Sequence, residues 1–401
     1  MDKTDKAVSL AMIPKVQFVV AVALLLVATQ IAGAQTESVL YNFCSQTYCS
    51  DGAAPVGGLV MDKKGNLYGT TQQGGANRLG TVFKLNSSGV ETVLHSFNGT
   101  TDGFYPYDTL ILDKKGNLYG TAFYSGANQG GTVFEVSPSG VETVLYNFPA
   151  FDGDGSDPYS GLIMDKEGNL HGTTEFGGAY IEGTVFELSA NGTETALYSF
   201  NSGNGTDGLY PYGTPIMDAQ GNLYGTTSGG GAYTYGTVFK VNPTGVETVL
   251  HSFNFDGTDG VWPYAGLVRD KKGNLYGTTS GGGAYNGGTV FKLSKKGIET
   301  VLYRFNPHNG TDGNTPNGPL VMDKSGNLYG TTANGGNCYN CGTVFMVTPT
   351  GTETILHSFT QNGSDGYQPS AGLVMDKAGN LYGTTEYGGT QGQGAIFRVT
   401  P

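Results

Sequence analysis

Gly65-Asn66-Leu67-Tyr68-Gly69-Thr70-Thr71 opens a pattern, G-N-L-[YH]-G-T, that begins again at Gly116, Gly168, Gly221, Gly273, Gly326 and Gly379. The spacings are 51, 52, 53, 52, 53 and 53 residues. Two other motifs keep the same beat. G-T-V-F begins at Gly80, Gly131, Gly183, Gly236, Gly288 and Gly342, and returns as G-A-I-F at Gly394. E-[ST]-[VAI]-L-[YH] begins at Glu37, Glu91, Glu142, Glu194, Glu247, Glu299 and Glu353. The chain is therefore seven copies of one unit, a reading that takes precedence over its 401-residue length.

Each unit holds four short segments rich in Val, Thr, Tyr, Leu and Phe, separated by turn residues. In the second unit these are 109–113, 117–122, 131–136 and 142–148. The first connection, D-K-K-G-N, is a tight hairpin with Gly where a positive φ is needed. No helical periodicity interrupts the pattern. A period near 50 with four strands predicts an all-β fold, a seven-bladed β-propeller with four antiparallel strands per blade. The chain starts with an orphan fourth strand, 37–43, and stops after a third strand, 394–400. Pairing the two completes the last blade, 372–400, and closes the ring without an unpaired edge.

Residues 1–34 read as a signal peptide. Lys3, Lys6 and Lys15 supply the basic region, Phe18 to Ala28 the apolar run, and Ala32-Gly33-Ala34 the cleavage site. The apolar run is shorter than the roughly 20 residues a membrane span needs. No second one follows, so residues 35–401 are expected to form a single domain without a membrane span, secreted or periplasmic. The four cysteines pair locally, Cys44 with Cys49 and Cys338 with Cys341, as disulfides suited to an oxidising compartment. Zinc is the alternative for the C-x-x-C pair. Lys and Arg number 21 against 33 Asp and Glu, a net charge of −12. That balance excludes a nucleic-acid partner, which requires a basic footprint.

The units resemble the GloVer-type tandem repeats of bacterial extracellular proteins. The residues carrying the resemblance are the 65–71 motif, Gly80-Thr81-Val82-Phe83 and Glu91-Thr92-Val93-Leu94, with their counterparts in the other units. The resemblance implies an exported, propeller-like array. It implies no activity and no catalytic residues.

Function is expected on the face that carries the longer loops, T-T-x-x-G-G-A and N-G-T-D-G-x-x-P. The second loop contains a repeated Asp: Asp51, Asp102, Asp154, Asp207, Asp259, Asp312 and Asp365. Its bland role is to fix a turn; the sharper one is ligand contact. Aromatics crowd the same face. Tyr105, Tyr107, Tyr159, Tyr210, Tyr212, Trp262, Tyr264 and Tyr367 are the expected ligand-binding residues, because rings beside carboxylates and amides suit sugar stacking. Catalysis needs unlike groups at one centre. The acids that break the repeat, Asp108 with Glu175 or Glu182, are the weak candidates for glycoside hydrolysis. Calcium is the one cofactor left open, at Asp152, Asp154 and Asp157. The leading expectation is a monomeric, non-catalytic binding module for an extracellular glycan or surface polymer. A carbohydrate-active hydrolase or lyase and a structural envelope protein are the alternatives.

Overall fold

A computed structural model describes residues 35–150 and 153–401. The signal-peptide expectation for 1–34, and Asp152, lie outside the described residues. Seven four-stranded antiparallel sheets form the blades of the propeller. In blade 1 the strands are Val60–Met61, Leu67–Thr71, Thr81–Leu85 and Glu91–Ser96, in that spatial order. The innermost strand is shorter than its sequence signal. In blade 2 only Ile111–Leu112 pairs; Thr109 and Leu110 lie outside the ladder, and Leu110 is buried in the core between blades.

Closure occurs as expected. Thr36–Asn42 pairs antiparallel with Ala395–Thr400, from Thr36 opposite Thr400 to Asn42 opposite Ala395. The first strand of the chain is thus the outer strand of blade 7.

The core lies between the blades. The Phe ending each outer strand meets, edge to face, the Phe of the next blade's third strand. Phe97 packs on Phe134 at 5.2 Å between ring centres, and the series runs on through Phe148–Phe186, Phe200–Phe239, Phe253–Phe291, Phe305–Phe345 and Phe359–Phe397. Phe43 on Phe83 completes the circle at 5.0 Å. These rings are buried, and edge-to-face pairs add about 0.5–1.5 kcal/mol beyond area burial. The packing explains the second glycine of the opening motif. A Cβ on Gly69 would stand 2.8 Å from the Phe83 ring, and one on Gly383 would stand 2.5 Å from that of Phe397. A polar tie runs alongside. Thr173 Oγ1 donates to the Pro211 carbonyl of the next blade, and Thr384 to Gly57 across the closure, each at 3.0 Å.

Six of the seven repeated Asp residues of the crossover loop lock a seam by accepting from the outer strand. Asp207 accepts from the Tyr198 hydroxyl at 2.6 Å and from Asn201 N at 2.8 Å. Tyr41, Tyr146 and Tyr303 serve Asp51, Asp154 and Asp312 in the same way, and His95 and His251 serve Asp102 and Asp259. The repeated Glu of each outer strand lies close to the Asp of the neighbouring seam. In all seven copies its Oε1 is buried without a hydrogen-bond partner. Burial first, and then the facing Asp, raises the carboxyl pKa to about 7 at five of them, Glu91, Glu194, Glu247, Glu299 and Glu353.

Candidate functional site: a tyrosine-walled cavity at the channel mouth

The crossover loop decides which side chains reach the channel. Its residue before Pro is left-handed in all seven blades: Ala54, Tyr105, Asp157, Tyr210, Trp262, Thr315 and Gln368 have φ between 52 and 59°. That conformation costs a non-glycine residue roughly 1–2 kcal/mol. Backbone hydrogen bonds on both sides hold it. Tyr210 N donates to Glu182 O at 3.0 Å, and Ser228 N donates to Tyr210 O at 3.1 Å. A short ladder absent from the sequence reading supports the same loop, pairing Gly208 with Gly230 and Gly260 with Gly282.

The residue after Pro then faces inward. Val56, Tyr107, Tyr159, Tyr212, Tyr264, Asn317 and Ser370 all line a cavity of about 510 Å³. Four consecutive blades contribute tyrosine, and the other three contribute small or amide side chains. Tyr107 and Tyr159 stack at 4.7 Å with planes 18° apart. Tyr159–Tyr212 and Tyr212–Tyr264 continue the wall edge to face at 5.1 and 5.3 Å. Gln72, Glu175 and Glu386, from the facing loops, add polar groups. The floor is small, with Gly58, Gly213, Ala265, Gly266, Ala371 and Gly372.

The eight expected ligand-binding aromatics therefore separate into two sets. Tyr107, Tyr159, Tyr212 and Tyr264 come together in the cavity. Tyr105, Tyr210, Trp262 and Tyr367 pack away from it against the other long loop, on Tyr124, Phe176, Tyr235 and Tyr387 respectively. Gln72 and Asn317 were missed. The signal that finds Asn317 is its place one residue after the repeated Pro.

The acids also divide. Asp108 lies at the cavity but is committed to holding the frame. Its Oδ2 accepts from Gly161 N at 2.6 Å and from Thr214 Oγ1 at 2.5 Å, and its Oδ1 from Thr109 N at 2.6 Å. Glu182 does not line the cavity; it accepts from the backbone and hydroxyl of Ser202. Glu175 is 9% exposed and accepts from the Tyr212 hydroxyl at 2.5 Å. Burial raises its pKa against the opposing effect of that bond. Burial, helped by Glu175, also pushes Asp157 up to about 6. Burial raises the Tyr159 and Tyr212 phenols, and at Tyr212 the bond to Glu175 adds to it, so both remain donors at neutral pH. Among the described residues no Lys, Arg or His lines the cavity. Of the calcium candidates, Asp154 is held by Tyr146, and among the described residues Asp154 and Asp157 belong to no three-ligand cluster.

Both disulfides form, Cys44–Cys49 and Cys338–Cys341, on the long-loop face. Among the described residues no helix is long and apolar enough to cross a membrane.

The Gloeobacter/Verrucomicrobia repeat model matches residues 27–214 and 211–401. The chain belongs to that repeat family. A search of curated proteins returns no match. Several solved structures share the repeat protein's fold. The extracellular domains of BT4673 and BT3049 from B. thetaiotaomicron, described as a one-component and a hybrid two-component system, superpose with TM-scores of 0.58 and 0.59 at 12% and 14% identity. They cover 90% and 92% of this chain, which spans 40% and 41% of theirs. PorZ, a surface component of the type-IX secretion system of Porphyromonas gingivalis, gives a TM-score of 0.52 at 15% identity, covering 85% of this chain and 46% of its own. At these identities the likeness is one of fold.

Proposed function

We propose that this repeat protein is an exported, non-catalytic binding module whose recognition site is the tyrosine-walled cavity, and that its ligand is a neutral extracellular glycan or surface polymer. The observation that carries the reading is the break in symmetry. Seven blades share one frame, yet four adjacent ones place tyrosine at the channel mouth. Aromatic faces with phenol, amide and carboxylate edges recognise an apolar sugar face and its hydroxyls. Glu175 and Glu386 without a lining base disfavour an anionic polymer. The extracellular domains with similar folds are in keeping with such a role. Calorimetric titration against a panel of neutral and acidic polysaccharides tests it. A neutral glycan is expected to bind, Tyr159→Ala to weaken it about tenfold or more, and acidic polymers to bind worse. No binding across the panel, or binding indifferent to Tyr159→Ala, contradicts the reading.

The hydrolase reading retains one supporting observation, the buried Glu175 carboxyl with its raised pKa. Its sequence-expected partner Asp108 is occupied by three donors. Reducing-end assays on the same panel distinguish the readings, since hydrolysis releases product and Glu175→Gln abolishes it.

A further inference from the structure

Six of the seven seams are satisfied by one donor from the outer strand. At four, a tyrosine hydroxyl donates to the crossover Asp. At two, His95 and His251 place Nε2 at 2.9 and 3.1 Å from Asp102 and Asp259. The seventh seam, between blade 6 and the blade completed by the chain's first strand, differs. His357 Nε2 stands 3.4 Å from Asp365 Oδ2, and no hydrogen bond forms. Asp365 keeps Oδ2 for Thr360 N at 2.9 Å and leaves Oδ1 without a partner, although the residue is only 8% exposed. Glu37, on the chain's first strand, approaches with its own unpartnered Oε1. One ligand atom from each of Glu37, His357 and Asp365 lies within 4.8 Å of the other two. Among the described residues this is the sole such group.

Three buried polar atoms without partners, one imidazole nitrogen and two carboxylate oxygens, are a costly arrangement unless something positive joins them. Protonated on Nδ1, His357 offers its Nε2 lone pair. The mixed nitrogen and oxygen set suits a divalent transition metal of the zinc type better than calcium or magnesium, which prefer oxygen alone.

We propose that Glu37, His357 and Asp365 form a zinc-type metal site that latches the propeller's closing strand. The cation joins the outer strand of blade 7, the outer strand of blade 6 and the crossover between those blades. It offsets the repulsion of two carboxylates and secures Thr36–Asn42, the one strand supplied from the far end of the chain. This inference is independent of the ligand at the channel mouth.

The test uses the untagged chain, stripped with a chelator and dialysed against zinc. One equivalent of zinc is expected per chain. At about a hundredfold excess over Kd, the melting temperature is expected to rise by about 3 °C. His357→Tyr restores the donor found at four other seams, so the variant folds; it is expected to bind no zinc and to show no shift. His251→Tyr is expected to keep both. Absence of stoichiometric zinc in the wild type, or zinc retained by His357→Tyr, or zinc lost on His251→Tyr, overturns the proposal.

Discussion

The seams and the channel mouth are built by the same seven repeats and obey opposite rules. At the seams every copy repeats its residue: Phe on Phe, Thr on carbonyl, Tyr or His on Asp. At the mouth the backbone repeats and the side chain does not. The left-handed residue before Pro is seven-fold, while the residue after it is Val, Tyr, Tyr, Tyr, Tyr, Asn and Ser around the ring. Repetition marks what each blade needs to stand against its neighbour. Divergence within a fixed frame marks where the molecule can be particular about what it meets.

The largest effect is expected from breaking the repeated side. Phe239→Ala empties a buried ring position between blades and should cost about 3–5 kcal/mol, read as a lower denaturation midpoint. Phe83→Ala, at the closing seam, should cost a similar amount. A much smaller loss there would mean that the ring does not close through that contact. Next in size, Tyr212→Ala should weaken glycan binding by roughly tenfold, about 1.4 kcal/mol, with a smaller change in the unfolding midpoint than Phe239→Ala.

The seam glutamates predict an unusual pH dependence. Their folded pKa values, about 7 at Glu91, Glu194, Glu247, Glu299 and Glu353, exceed the 4.5 of an ordinary glutamate. A carboxyl raised on folding stabilises the native state while protonated. Its contribution is complete below pH 4.5 and is lost as the pH rises through 7. The tight-turn aspartates work the other way. At Asp62 partial burial is outweighed by hydrogen bonds from Asn66, Lys64 and Tyr68, so its pKa falls below 3.8 and its contribution disappears in stronger acid. Melting temperature is therefore expected to fall between pH 5 and pH 8, with its maximum on the acid side of neutrality. Glu247 faces Asp207, which is bonded to Tyr198. Glu247→Gln should raise the melting temperature at pH 8 and flatten the slope; an unchanged slope would count against this account. The smallest effect belongs to Trp262→Ala. That ring packs on Tyr235 outside the cavity, so glycan affinity should change by less than about twofold.

Much of the frame was legible because period, turn chemistry and strand pattern agree. The motif at Gly65 fixed the blade, and Glu37–Phe43 announced the closure before any pairing was visible. Less visible features share a physical cause. The Gly208–Gly230 ladder has no side chains to give it a period. The strand at 109–113 looked longer because Thr109 and Leu110 are strand formers, yet they stay outside the ladder and Leu110 packs into the core between blades. The crowd of aromatics could not be sorted by residue type. Tyr210 and Tyr212 are two apart, as on one face of a strand, yet the left-handed backbone at Tyr210 sends them to different surroundings. Asp108 broke the repeat for a reason chemistry did not foresee, which is to bridge Gly161 and Thr214 of the next two blades. The seam glutamates looked like ordinary strand openers, because nothing local reveals that an Asp from the adjoining blade will face them.

The most direct measurement is to make the mouth as uniform as the seams. Tyr107, Tyr159, Tyr212 and Tyr264 are replaced together by serine, the residue blade 7 already carries at position 370. Unfolding and glycan titration are then followed on the same sample. Cooperative melting with binding abolished is the predicted result. Retained affinity, or collapse of the propeller, would contradict the division between a repeated frame and a divergent site.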